Sequence, residues 1–266
     1  MNLNKIKTTA IFLLVSVTFS AWAENTSQIT HIYIASDSTA ADHTLNDDYW
    51  ENRHPVTGWA QKLEPLVNGE NLKALAPLID AEKVQVINRA RGGRSTRTFF
   101  EEGRWRRVYR DLNPGDLVLI QFGHNDAAVE KTERYVTPEG YREYLRLFIA
   151  QTRERGAYPI LMTPVARNYP WEDGKLINNH GEYTIAVKEI ALETGTPWID
   201  LLARSKAFFT DKGKDYTSAN YFMNLPAGEF PAYPDGQDDN THFQPEGAEE
   251  VAKLVYRGLV DIAQTH

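Results

Sequence analysis

One serine and two acid–histidine pairs could carry acyl-transfer chemistry in this sequence. A serine hydroxyl attacks an acyl carbon only when a base takes its proton, and an imidazole base needs an acid to fix its tautomer. Ser38 lies in Ser36-Asp37-Ser38-Thr39, directly after the apolar run Ile32 to Ala35. If a helix N-terminus follows such a strand exit, the hydroxyl is exposed and backbone N–H groups point at an oxyanion. Asp37, Ser38 and Thr39 could instead merely cap the next element. The two pairs are Glu51-x-x-His54 and Asp239-x-x-His242. The first runs into Pro55 in an irregular stretch and reads as a surface pair. The second reads as part of a loop just before the closing helix, where a three-residue offset lets the carboxylate turn back onto the ring. His31 falls at the start of a strand, on the wrong edge of the sheet, and His43, His180 and His266 have no acid at this spacing and are expected to be solvated.

These residues must be positioned by secondary structure, and the pattern is regular. Apolar runs rich in β-branched residues at Ile32 to Ala35, Val84 to Asn88, Leu117 to Phe122, Tyr158 to Thr163 and Pro197 to Leu201 predict five strands. Three helical patterns lie among them. Pro138 to Arg155 places Tyr141, Tyr144, Leu145, Phe148 and Ile149 on one face, with Thr137 as a cap; Glu182 to Thr194 and the segment from Pro245 behave alike. Continuous apolar strands separated by amphipathic helices predict a parallel sheet covered on both faces. Ligands of such sheets sit beyond the carboxyl ends of the strands. There stand Ser36 to Thr39, Arg91-Gly92-Gly93-Arg94-Ser95 and Gly123-His124-Asn125-Asp126. Asp42 to Thr57 and Asp211 to Asn240 read as long loops, which usually serve a site.

Composition bounds the function. The 266 residues carry 29 Lys plus Arg against 36 Asp plus Glu, a net charge of -7, 42% hydrophobic and 24% charged residues, and a mean hydropathy of -0.49. These values exclude an integral membrane protein, and the 11% aromatic content is too high for disorder. The acidic balance disfavours nucleic acid as a partner. No cysteine is present, which removes disulfides, thiolate zinc, iron–sulfur clusters and a cysteine nucleophile together. Lys5 and Lys7, the apolar run Ala10 to Phe19 and Ala21-Trp22-Ala23 predict a signal peptide over 1–23, cut before Glu24. One domain is expected over 24–266, in a periplasmic or secreted protein.

Four segments in order, Ser36-Asp37-Ser38, Gly93 in Ala90-Arg-Gly-Gly-Arg-Ser95, Asn125 in Gly123-His-Asn-Asp126, and Asp239-x-x-His242, resemble the blocks of the SGNH, or GDSL-type, hydrolases. Asp-Ser-Thr together with Ala-x-Gly-Gly-Arg-Ser-x-Arg and Phe-Gly-His-Asn-Asp is most similar to the rhamnogalacturonan acetylesterases, carbohydrate esterase family 12. The resemblance implies a three-layer α/β/α flavodoxin-like fold with a five-stranded parallel sheet. It implies Ser38 as nucleophile, His242 as base and Asp239 as its partner, with an oxyanion hole from the N–H groups of Ser38 and Gly93 and the Asn125 amide. No metal and no organic cofactor are implied. Ser36 stands where the family usually has glycine, a departure costing about 1 kcal/mol if that backbone needs a positive φ.

Between Arg89 and Arg110 stand eight arginines against Glu101 and Glu102. Arg94 and Arg97 follow Gly93 closely enough to reach the mouth of a site, where they could receive an anionic polymer such as a galacturonate-containing chain. Helix arginines pairing with the surplus acids explain the run as well. Trp171, Tyr169 and the aromatics of the second long loop could stack on sugars or simply pack. The expected protein is a monomeric serine esterase removing acetyl groups from pectic polysaccharide. Its rivals are a lipid or thioester esterase of the same fold and a carbohydrate-binding protein that has lost catalysis.

Overall fold

The computed structural model describes residues 29–265, so the expected signal peptide and His266 lie outside the described residues. Five parallel strands, β1 (Ile29–Ser36), β2 (Lys83–Asn88), β3 (Leu117–Gln121), β4 (Tyr158–Met162) and β7 (Trp198–Ile199), form one sheet in the order β2-β1-β3-β4-β7. This is the flavodoxin-like order, whose switch point between β1 and β3 is where ligands bind. All five strands stand where the apolar runs predict them. The fifth is shorter, because Asp200 accepts a hydrogen bond from the Ala203 N–H and starts the next helix there.

Strand alternation sends side chains to opposite faces, and the two faces carry separate cores. Ile32, Ile34, Leu117, Leu119, Ile160 and Met162 face helices α6 (Leu201–Lys212) and α8 (Pro245–Thr265). Tyr33, Ala35, Val118, Ile120 and Leu161 face α2 (Thr96–Glu101), α3 (Arg104–Asp111), α4 (Pro138–Glu154) and α5 (Glu182–Thr194). Each fully buried branched side chain contributes about 1.5–3 kcal/mol. The α4 boundary follows its cap: Thr137 Oγ1 accepts from the Gly140 N–H at 3.1 Å. Between β1 and β2 the chain forms the short α1 (Tyr49–Asn52) and then only 3₁₀ turns over Trp59–Lys62, Glu64–Val67 and Gly69–Leu75. There Asn68 is drawn onto the edge strand, accepting from the Val84 N–H and donating to the Val84 carbonyl. Glu64 accepts from the Val86 N–H, so the exposed edge of β2 is capped by side chains.

The segment Asp211 to Asn240 is more ordered than a long loop. It holds the end of α6, α7 (Lys214–Asn220), β8 (Phe222–Leu225) and the start of β9 (Gln237–Phe243), which pairs antiparallel with β8. Tyr221 and Phe222 are buried against Phe209, and Phe222 also against Phe243, so their aperiodic spacing reflects packing. A second short hairpin, β5 (Trp171–Glu172) with β6 (Lys175–Leu176), follows β4. Among the described residues, no helix is long and apolar enough to cross a membrane.

Candidate active site

The carboxyl end of β1 turns sharply, and side chains from three other segments hold the turn. Asp37 Oδ1 accepts from the Thr39 N–H at 2.9 Å and from Thr39 Oγ1 at 2.8 Å. Thr39 Oγ1 accepts from Gln121 Nε2, and Gln121 Oε1 accepts from the fully buried Trp59 indole, both at 2.9 Å. His124 Nδ1 lies 3.2 Å from Asp37 Oδ2. Burial pushes the Asp37 carboxyl up, but His124 and Thr39 outweigh it and hold the group below its ordinary value. Gly58 packs so tightly under this turn that a Cβ would lie 2.2 Å from the Ala41 carbonyl oxygen. After Ser38 the chain forms a turn and the 3₁₀ segment His43–Leu45, not the helix that strand-exit reasoning anticipates. Asp37 also caps its own turn, so the capping reading of this segment holds alongside any chemical one. Ser36 does not adopt positive φ, so no backbone strain arises there; instead its hydroxyl is buried without a protein partner.

Across the cavity, Asp239 and His242 lie on β9 and not in a loop. On a regular strand, residues three apart face opposite sides. Here the register jumps from Met223 opposite Asp239 to Phe222 opposite Phe243, so residues 240–242 bulge out. Asp239 Oδ1 accepts from the N–H groups of Thr241 and His242 at 2.8 and 3.0 Å, which turns the chain back on itself. Asn240 Oδ1 accepts from Asn168 and Asn224, pinning the bulge to the loop after β4 and to β8. The result is a line of hydrogen bonds. His242 Nδ1 donates to Asp239 Oδ2 at 2.6 Å, and Ser38 Oγ donates to His242 Nε2 at 2.8 Å. Burial raises the Asp239 carboxyl, but its bonds from His242 and Thr241 prevail and hold it at about 2.

Gly92, Gly93 and Asn125 line the same cavity. Gly93 has φ 77°, a conformation that disfavours any side chain, and a Cβ there would press on Arg134 Nη1 at 3.2 Å. Of the two glycines, Gly92 is the one whose added Cβ would come into contact with Ser38, at 3.6 Å from Ser38 Cβ. Asn125 Nδ2 donates to the Arg94 carbonyl at 3.0 Å and Oδ1 accepts from Arg134 Nη1 at 3.1 Å, which orients the amide and leaves one of its N–H groups for a ligand. Asp126 ties this segment to α2 by accepting from the Thr96 N–H and hydroxyl. Burial raises its carboxyl to about 7, with Asp37 adding to the effect.

Two of the remaining histidines depart from expectation. His43 and His180 are buried, at 4% and 3% exposure, and both line the cavity with His124. His180 Nε2 donates to the Val165 carbonyl and its ring meets His124 edge-on, and burial drives its pKa well below the usual value. Spacing to an acid could not reveal them, because a carbonyl, not a carboxylate, is the partner in each case. His54 stacks on Trp50, and His31 pairs with Asp116 at the opposite edge of the sheet, as expected.

The arginine run divides. Arg89 pairs with Asp111, Arg104 with Glu102 and Arg110 with Asp111. Arg97 donates to the Thr132 carbonyl and is not among the cavity-lining residues, whereas Arg91 and Arg94 are. Arg94 is tethered to Glu102 and to the Gly92 carbonyl. The cavity, of about 810 Å³, also takes Arg53, Lys131, Arg134 and Arg167 from three other segments of the chain, facing three acids, Asp42, Glu130 and Asp239. Sequence clustering missed those four, since each stands apart from the run. Of the candidate sugar-stacking aromatics, Tyr169 and Tyr233 line the cavity, while Trp171 bonds Asn168 and packs. Among the described residues, no three His, Asp or Glu side chains are grouped to hold a metal ion.

Comparison with known proteins bears on this geometry. The model of the GDSL-like lipase/acylhydrolase family matches residues 37–249. The chain is 42% identical over 235 residues to the probable rhamnogalacturonan acetylesterase YesY of Bacillus subtilis, covering 87% of this chain and 93% of that protein. It is 38% identical over 231 residues to the rhamnogalacturonan acetylesterase RhgT of the same organism, covering 87% and 90%. The crystal structure of the protein YXIM from Bacillus subtilis superposes with a TM-score of 0.68 at 26% identity, over 88% of this chain and 57% of that one. A flavodoxin-ordered sheet, an Asp–His–Ser line at its carboxyl edge and a family match over most of the chain converge: the protein belongs to the GDSL-like lipase/acylhydrolase family and is a carboxylic ester hydrolase.

Proposed function

We propose that this protein is an exported serine esterase that removes acetyl groups from pectic polysaccharide through an acetyl-enzyme on Ser38. The observation that carries the reading is the Asp239–His242–Ser38 line opening into a cavity lined by six cationic side chains against three acidic ones. Ser38 Oγ attacks the acetyl carbon while His242 Nε2 takes its proton. The tetrahedral oxyanion is held by the N–H groups of Ser38 and Gly93 and the spare N–H of Asn125. Its collapse breaks the ester bond, and the proton on His242 passes to the departing sugar hydroxyl. Water then attacks the acetyl-enzyme with His242 as base, releasing acetate and restoring Ser38. These steps need no metal or organic cofactor. The names of the curated relatives support a carbohydrate ester as substrate, and the positive cavity supports one that bears carboxylates. A lipid esterase would want an apolar groove, and a binding protein would have no use for an aligned nucleophile and base.

Acetate release from acetylated rhamnogalacturonan, homogalacturonan and xylan, measured side by side, tests the reading. Faster release from the two pectic polymers is expected, and xylan as the best substrate would overturn it. Export rests on the pattern of residues 1–23, and N-terminal sequencing of the mature protein should begin at Glu24.

A further inference from the structure

The peptide that joins the nucleophile to Thr39 is gripped at both ends. Its N–H, that of Thr39, donates to Asp37 Oδ1 at 2.9 Å, and its oxygen, the Ser38 carbonyl, lies 2.8 Å from His43 Nε2. A carbonyl can only accept, so Nε2 carries the proton and the tautomer of His43 is settled by its partner. His43 is itself fixed in place. Its carbonyl accepts from the Asn46 N–H at 3.1 Å and from Asn46 Nδ2 at 2.7 Å. The residue is 4% exposed, and its ring stands edge-on to His242, with centroids 6.3 Å apart. Burial above all, with the nearby charges of His242 and Arg53 acting in the same sense, lowers its pKa to about 4. Near neutral pH the ring is therefore an uncharged donor beside the catalytic imidazole.

We propose that His43 is a positioning residue for the nucleophile: its Nε2–H holds the Ser38–Thr39 peptide plane and so fixes where Ser38 Oγ stands relative to His242. This rests on Ser38 acting as nucleophile and not on the identity of the polysaccharide. Without the His43 bond, the peptide keeps only its Asp37 contact, and the Ser38 carbonyl is left without the donor it has here. A displacement of 1 Å at a reacting centre costs on the order of 10²-fold in rate, and a partial rotation of one peptide should cost about tenfold.

The test compares His43→Phe, which keeps a ring but has no donor, with His43→Gln, whose amide N–H can reach the Nε2 position. Both are titrated with diethyl p-nitrophenyl phosphate, in which the amplitude of p-nitrophenol release counts competent sites and the rate constant reports attack by Ser38. Hydrolysis of p-nitrophenyl acetate is followed in parallel. The Phe variant should be about tenfold slower per titrated site with both reagents, and the Gln variant should recover to within about threefold of wild type. Misfolded protein lowers the amplitude and leaves the rate per site alone. Should the Phe variant yield no folded protein, His43→Met, which also lacks a donor, is judged by the same criterion. A donor-less variant as fast as wild type, or a Gln variant as slow as the donor-less one, overturns the proposal. Labelling that persists in Ser38→Ala would instead overturn the nucleophile assignment on which it rests.

Discussion

Replacing Asp239 by Asn changes one atom, and the local geometry determines how the site responds. The carboxylate accepts three hydrogen bonds: Oδ1 from the Thr241 and His242 N–H groups, and Oδ2 from His242 Nδ1. An Asn can keep its oxygen on only one side. Facing that oxygen toward the imidazole would turn the NH₂ against two backbone donors, leaving both unsatisfied at about 1–3 kcal/mol each. Keeping it on the backbone directs the NH₂ at Nδ1, which can switch to an acceptor by moving its proton to Nε2. The second arrangement wins. His242 Nε2 then donates to Ser38 Oγ and cannot take its proton, so kcat on p-nitrophenyl acetate should fall about 10⁴-fold, a barrier increase of about 5 kcal/mol. The carboxylate also stabilises the fold. Its pKa of about 2, against 3.8 unperturbed, corresponds to about 2 kcal/mol. A depressed carboxylate pKa contributes stability that is complete above about pH 4 and lost as pH falls toward 2. Urea melts of the Asn variant should therefore show a deficit of that size at pH 7 that shrinks in acid. A variant turning over within tenfold of wild type would falsify the tautomer argument, because nothing else in the site could fix the proton on Nδ1.

The same contacts set other outcomes. Ser38→Ala should lose at least about 10⁴ in kcat while melting like wild type; turnover at the normal rate would remove the nucleophile. Asn125→Ala should cost about 10²–10³ in kcat, the worth of one oxyanion donor, and a loss under threefold would take the amide out of the hole. Raising salt should raise KM on acetylated pectin and leave p-nitrophenyl acetate nearly unchanged, since exposed charges are screened over about 8 Å at physiological ionic strength. Lys131→Gln with Arg91→Gln should mimic that selectivity. Arg97→Gln, whose guanidinium is spent on the Thr132 carbonyl, should not. Equal responses of both substrates would refute a polyanion-binding cavity.

Much of this protein is determined by local pattern. The five apolar runs and the Thr137-capped and Pro245-led helices are legible because burial on two faces forces near-continuous hydrophobicity in strands and a stripe in helices. Ser38, Asp239 and His242 are legible as candidates because the nucleophile, base and acid proposed here must be particular residue types, and two of them are three residues apart. Pairing across space left less trace. The turn of Asp239 onto His242 depends on a bulge in β9, a matter of register against β8 that side-chain types do not encode. His43 and His180 read as solvated because their partners are the carbonyls of Ser38 and Val165, groups that every residue possesses and that spacing cannot single out. The charge of the cavity was equally hidden. Most of the conspicuous arginine run pairs with local acids, while Arg53, Lys131, Arg134 and Arg167, far from that run in the chain, are gathered at the strand ends. Burial and chemistry act on each residue where it stands, so the sequence records them; long-range convergence is a property of the sheet order β2-β1-β3-β4-β7, and only the folded chain decides it.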